Sequence, residues 1–304
     1  MEVPSLWRFC LISLLLSVPI PAKAQICAEA KLCRAAPPTG ALLHQPNSRG
    51  HLIWTTSCKP VTDPPRPDRI CNQIASCPAA GGFGKFLRAV TGNCSAKHFD
   101  GYFGLDGMTF GILDWTSNNL PPILKRYEQR DPESYQSLLG PLNLPTRNGC
   151  LDPQWTCDSN QQGRLMCDAA FHNAFSTTIK TAGFQKAQAE HALAAYERRL
   201  ATYRTLGLQT EYGNVAMAVV ANNLVNTPAC KPATWKAACS DQVDERRLVN
   251  CMLDRYVANE CRGSARGSEE RRDEILRLFA TELTADTTLP TNEAVLSCSA
   301  DWGQ

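Results

Sequence analysis

Between Glu29 and Glu128 this chain has no glutamate, and over its 304 residues it has no marked excess of either charge, with 31 Lys and Arg against 29 Asp and Glu. If the first 24 residues are removed, as argued below, Glu2, Arg8 and Lys23 go with them. The remaining 29 basic and 28 acidic side chains then leave a formal charge of +1. Such balance gives no electrostatic case for nucleic acid or an anionic membrane as partner, and it supplies no acidic field for a polycation. No CxxC pair and no HxxxH motif occurs, so neither a metal nor any other cofactor is expected. No GxSxG elbow occurs either. His98 stands near Asp100, Ser95 and Cys94, but hydrolase triads assemble from distant segments. It is read as a surface or packing histidine, as are His172 and His191 on their expected helices. Internal repeats and low-complexity tracts are absent.

No apolar run reaches the roughly 20 residues that a bilayer span needs. The longest, Phe9–Pro21, follows a basic residue, Arg8, and precedes Ala22-Lys23-Ala24. That order is read as a secretory signal with a small-x-small cleavage site. Residues 1–24 are therefore assigned as signal peptide, with no membrane span after its removal, and the protein is expected to be secreted or periplasmic. Of 15 cysteines Cys10 leaves with the signal, and the 14 that remain imply up to seven disulfides. Spacing points to local loops: Cys27–Cys33, Cys71–Cys77, Cys150–Cys157, Cys230–Cys239 and Cys251–Cys261.

Residues 25–69 are rich in proline ("RAAPPTG", "TDPPRPDR") and are read as an irregular, disulfide-stapled arm. The main domain then runs over 70–304. A short helix is expected in "ICNQIASC" and a second in "GGFGKFLRAVTG", stopped at Gly92. Next comes "HFDGYFGLDGMTFGILDW" (98–115), where Asp106-Gly107 between β-prone flanks predicts a hairpin. "TSNNLPPILKRYEQR" predicts a helix capped by Asn118 or Asn119, with Pro121 and Pro122 in its first turn. From Phe171 onward the pattern is mostly helical. It includes a long helix stopped at Gly207, an apolar central helix within 213–227, and charged amphipathic segments packed outside. The fold class is mainly α, an α+β domain with one small β-hairpin.

Asp100, Asp106 and Asp114 are the acids of the hairpin region. Asp106 fits ordinary turn chemistry, and Asp100 fits turn or capping duty at the first strand's start. If 108–114 is a strand, Asp114 shares a face with Met108, Phe110 and Ile112, which would half-bury its carboxyl and raise its pKa. Alternatively it ends the strand and bonds Thr116, Ser117 or the next helix. The aromatics Tyr102, Phe103, Phe110 and Trp115 suit either stacking on sugar rings or core packing. Asn222 and Asn223, on the apolar helix, are expected to brace the hairpin loops.

These segments together resemble the lysozyme-like superfamily, in particular its chitosanase-like and related peptidoglycan-cleaving branch. The hairpin matches much of that branch's "G-x-F-D-G-x-G-[LM]-[ST]-x-G-x-L-Q-W". "NNLPPILKRY", the stretch 184–227 and "EERRDEILRLF" look like its following helices, so the likeness covers roughly 70–280. The resemblance implies a lysozyme-like fold and an exported glycoside hydrolase acting on a β-1,4-linked amino-sugar polymer, peptidoglycan or chitosan. A non-catalytic descendant that binds glycan or protein through the same cleft is the alternative. Two positions depart from the pattern. Where the branch has its acid Glu, at the end of the helix before the hairpin, this chain has Val90 or Gly92. Where it has the Gln of "LQW", this chain has Asp114. Asp114 and Asp106, with Asp100 behind them, are the candidate carboxylates; Glu190 and Glu211 are held in reserve. Tyr102, Phe103, Thr109 and Trp115 are the candidate substrate-binding residues.

Overall fold

The computed structural model describes residues 27, 29, 41–43, 54–56, 74, 77–91, 99, 102–103, 108–113, 115–161, 164–222, 227–259, 261, 265–280 and 289–298. The proposed signal peptide, most of the arm, His98, Gly92, Asn223 and the three hairpin aspartates lie outside them. The protein is mainly helical with small antiparallel sheets, as its sequence pattern predicts.

Within the arm the structure departs from the expected irregular chain. Strands β1 (Ala41–Leu43) and β2 (Trp54–Thr56) pair antiparallel, with Leu42 opposite Thr55. Helix α1 (Gly81–Thr91) follows and buries Phe83, Phe86, Leu87, Ala89 and Val90 on one side. Its first turn lies so close to the helices beneath that a Cβ on Gly82 would stand 2.8 Å from the Tyr196 hydroxyl.

The expected hairpin is present, and it is part of a larger unit. Strand β3 (Tyr102–Phe103) pairs with β4 (Thr109–Phe110) in the register Tyr102 opposite Phe110. Strand β4 also pairs with β5 (Trp115–Thr116), with Phe110 opposite Trp115, so the sheet has three strands. This removes the premise of a continuous strand over 108–114. Residues 111–113 are a turn, entered through Gly111 at φ +70°. Period two therefore does not place Asp114 on the face of Met108 and Phe110.

Helix α2 (Leu120–Arg130) begins at its two prolines, as expected, after a single 3₁₀ turn over Ser117–Asn119. Asn119 holds the N-cap position but makes no capping hydrogen bond with its side chain. The prolines bring no N–H to be capped, so little is left for it to do. Helix α3 (Pro132–Leu138) turns off at Asp131, whose carboxylate accepts from the Ser134 N–H at 3.1 Å. A two-stranded ribbon, β6 (Thr146–Arg147) and β7 (Cys150–Leu151), leads to α4 (Pro153–Gln161), α5 (Arg164–Cys167) and α6 (Ala169–Thr178).

The long helix α7 (Ala182–Arg204) is capped by Thr181, and the chain leaves it through Gly207 at φ +72°. Helix α8 (Glu211–Ala221) has every residue from Glu211 to Val220 buried. This is the central helix that its apolar composition predicts over 213–227, beginning two residues earlier and ending at Ala221. The charged stretch after it divides into α9 (Pro232–Ala238) and α10 (Glu245–Ala258), and "SEERRDEILRLF" falls on α11 (Ala265–Leu278). A short α12 (Asn292–Leu296) ends the described chain.

Helix α7 is the spine. It packs along α2 on one side and α8 on the other, while α1 lies across α8. The aromatic core ties the sheet to this spine: Phe110 meets Phe175 edge-on at 5.3 Å and Phe184 at 6.0 Å. Phe184 also packs edge-on against Tyr127 of α2 at 5.5 Å.

Two of the described disulfides join distant segments, and two staple α9 to α10. Among the described residues the pairs are Cys27–Cys150, Cys77–Cys298, Cys230–Cys261 and Cys239–Cys251, the last nested inside the third. All five locally expected pairings are thereby overturned. Sequence proximity misleads here because α10 folds back on α9, setting partners by helix packing rather than by chain distance.

Candidate functional site

Two devices mount the sheet on α7. The Gln188 side chain donates to the Phe99 carbonyl at 2.7 Å, fixing the chain just before β3. Its amide oxygen lies against Gly111, so closely that any Cβ there would collide with it. The turn thus requires glycine twice, for its positive φ and for the approach of Gln188.

A cleft of about 520 Å³ opens beside this turn. Leu113, Trp115, Thr116 and Asn119 form one wall, and Ala195, Arg198, Arg199, Thr202 and Tyr203 of α7 form another. Ala221 and Asn222 close it at the end of α8, and Glu29 of the arm stands at its edge. Trp115 is nearly buried and packs edge-on against His191, ring centroids 4.8 Å apart. Both residues that flank Asp114, namely Leu113 and Trp115, line the cleft.

Electrostatics here are dominated by arginine. Burial, and then the charges of Arg126, Arg198 and Arg199, push the His191 imidazole down to about 3, so it is neutral at physiological pH. Its Nε2 lies 3.8 Å from a Glu29 oxygen, too far for a hydrogen bond, and a neutral ring makes no ion pair. Arg198 does pair with Glu29, at 3.0 Å. Arg199 lies over the Phe86 ring, 5.7 Å from its centroid, and burial followed by the Arg198 charge pushes it down to about 10. Its Nη1 and the Trp115 indole Nε1 are buried without hydrogen-bond partners.

The reserve acids are engaged elsewhere. Glu190 is ion-paired with Arg130, with Arg126 4.0 Å away, and Glu211 is ion-paired with Lys85. Neither lines the cleft. Of Val90 and Gly92, the two positions expected to stand in for a catalytic Glu, Gly92 lies outside the described residues; Val90 is buried, and its carbonyl accepts from the buried Arg271 guanidinium of α11 at 2.9 Å. That helix end is closed by an arginine.

Of the candidate substrate-binding residues, Trp115 lines the cleft, while Thr109 is buried and is not part of its lining. The backbones of Tyr102 and Phe103 form β3. Asn222 faces the cleft half-buried, rather than lying beneath the hairpin as a buried brace. Asn119, Arg198, Arg199, Tyr203 and Glu29 were not legible as site residues. A tandem arginine on a long helix has the pattern of a solvated face, and Glu29 is 169 residues from the arginine that holds it. No family model, curated protein or solved structure matches the chain.

Proposed function

We propose that this cleft binds a β-1,4-linked amino-sugar polymer, of the peptidoglycan or chitosan kind, and that the protein is an exported glycoside hydrolase. The observation that carries the reading is the cleft's composition. One near-buried tryptophan stands among amides, hydroxyls and guanidinium groups, the mixture that covers a sugar ring's apolar face and meets its hydroxyls. Asp114 is the foremost carboxylate because both its neighbours line that cleft; Asp106 and Asp100 follow. The reaction needs one carboxyl group to protonate the leaving glycosidic oxygen. A second either activates water or attacks the anomeric carbon.

A specific observation favours a second reading, a non-catalytic glycan- or protein-binding descendant. The helix end that would bear the acid presents Val90 bonded to Arg271, and among the described lining residues Glu29 is the one carboxylate, paired with Arg198. Turbidity clearing of purified cell walls and reducing-end release from chitosan decide between them. The hydrolase reading expects activity in the wild type and a loss of about 100-fold or more in Asp114→Asn. Retained activity in Asp114→Asn and Asp106→Asn removes both from the chemistry. Glycan binding by the wild type without any cleavage establishes the second reading.

The cystines accord with export into an oxidising compartment, and among the described residues no helix is long and apolar enough to cross a membrane.

A further inference from the structure

Glu29 is the arm's representative in the cleft. It lies two residues beyond Cys27, which is buried and disulfide-bonded to Cys150 of β7. The crosslink delivers Glu29 to Arg198, and nothing else in the described structure bonds its carboxylate. Both partners are substantially exposed, at 45% and 59% of their side-chain surface, so this ion pair is weak and open to exchange with solvent ions.

Arg199 is the contrasting neighbour. Its guanidinium lies over the Phe86 ring, its charge is partly desolvated, and its Nη1 has no acceptor. Guanidinium and indole N–H groups can only donate. Among its described residues the lining holds two guanidinium groups and one carboxylate, with a second unsatisfied donor at Trp115. The α7 wall, with two adjacent guanidinium groups and a donor lacking an acceptor, is complementary to an anion carrying acceptor oxygens. The carboxylate already on Arg198 demonstrates the chemistry that fits.

We infer that Arg198 and Arg199 form a carboxylate subsite of the cleft, with Glu29 as its displaceable internal occupant. The ligand group it takes is a sugar-borne carboxylate, which bonds Arg198 and Arg199 as Glu29 swings away on its disulfide-anchored tether. This rests on the glycan reading above and narrows it: the favoured polymer carries carboxylates, and a polycationic one is repelled by the same arginines. Glu29 then sets a threshold, because the ligand competes with it for Arg198.

Titration calorimetry on the disulfide-intact protein tests this with three oligosaccharides matched in length. One is a neutral N-acetylated β-1,4 glucosamine oligomer, one its cationic de-N-acetylated form, and one an oligomer of N-acetylglucosamine alternating with glucuronate. Free glucuronate is the fourth probe. The expected order is carboxylated tightest and cationic weakest. Glu29→Gln should tighten the carboxylated oligomer about fivefold and leave the neutral one unchanged. Arg199→Met, which keeps an unbranched apolar side chain but removes the guanidinium, should lose about tenfold for the carboxylated oligomer alone. Equal affinities across the three oligomers, or no gain in Glu29→Gln, overturn the subsite while leaving glycan binding intact. If no oligomer binds but free glucuronate binds Glu29→Gln more tightly than the wild type, the glycan reading falls and the carboxylate subsite stands. No binding by any of the four probes removes both.

Discussion

Single residues decide whether the cleft exists at all. Gly111 is the clearest case, since the turn that presents Leu113 and Trp115 needs a left-handed residue and has no room for a side chain beside Gln188. Gly111→Ala is expected to cost about 2 kcal/mol or more, seen as a lower urea midpoint, because it adds backbone strain and displaces Gln188 from Phe99. His191 carries the second prediction. Its native pKa is about 3 against an ordinary value near 6.5, so above that value both folded and unfolded chains hold it neutral. Between 6.5 and 3 the unfolded chain binds a proton that the native one refuses, and stability falls as pH falls. The slope from this group is at most about 1.4 kcal/mol per pH unit. Denaturant midpoints at pH 7 and pH 5 should separate in the wild type, and separate less in His191→Gln.

Elements hold the site by closing one another's ends. Arg271 of α11 donates to the Val90 carbonyl at the end of α1 and, at 3.3 Å, to Gly267 of its own helix. Arg271→Met would leave the Val90 carbonyl buried without that bond, costing about 2 kcal/mol. Hydrogen exchange should quicken first around residues 87–91, and a uniform change across the protein would contradict the local role. At the other end of the core, Glu245 of α10 accepts from the Gln209 and Thr210 amides and the Thr210 hydroxyl, at 2.7, 2.9 and 2.6 Å. Gly213 sits against that carboxylate; a Cβ there would lie 2.5 Å from its oxygen. Several of these helices were legible in advance, because Pro121 and Pro122, Gly207 and the apolar 213–227 stretch each carry a local signal, whereas the Thr181 cap of α7 came only with the structure. The third strand was not. Two residues, Trp115 and Thr116, are too few to show a period, and they are a strand only because β4 is there to pair with.

At the scale of the whole molecule the crosslinks matter most. Cys77–Cys298 spans 221 residues and ties the entry of α1 to the chain beyond α12. On the chain-entropy account, such a loop removes about 5 kcal/mol of unfolded-state freedom. The double variant Cys77→Ala/Cys298→Ala should therefore melt markedly lower than the wild type under non-reducing conditions. An unchanged transition would show that the unfolded chain is already confined by other means. Cys27–Cys150, in turn, is what brings the arm's Glu29 to a cleft built from α7, α8 and the sheet.

Residue order alone determined the helical class, the hairpin's location, the buried central helix and the abundance of cystines. Each follows from patterns contained within one segment: spacing of apolar residues, proline and glycine placement, and residue counts. Tertiary structure alone decided the disulfide partners, the third strand, the closure of the α1 end by Arg271 and the meeting of Glu29 with Arg198. Those depend on which helices pack together, and packing joins residues that no local pattern connects. A tandem arginine on a helix and a lone glutamate near the N-terminus carry no mark of each other until the fold sets them 3.0 Å apart.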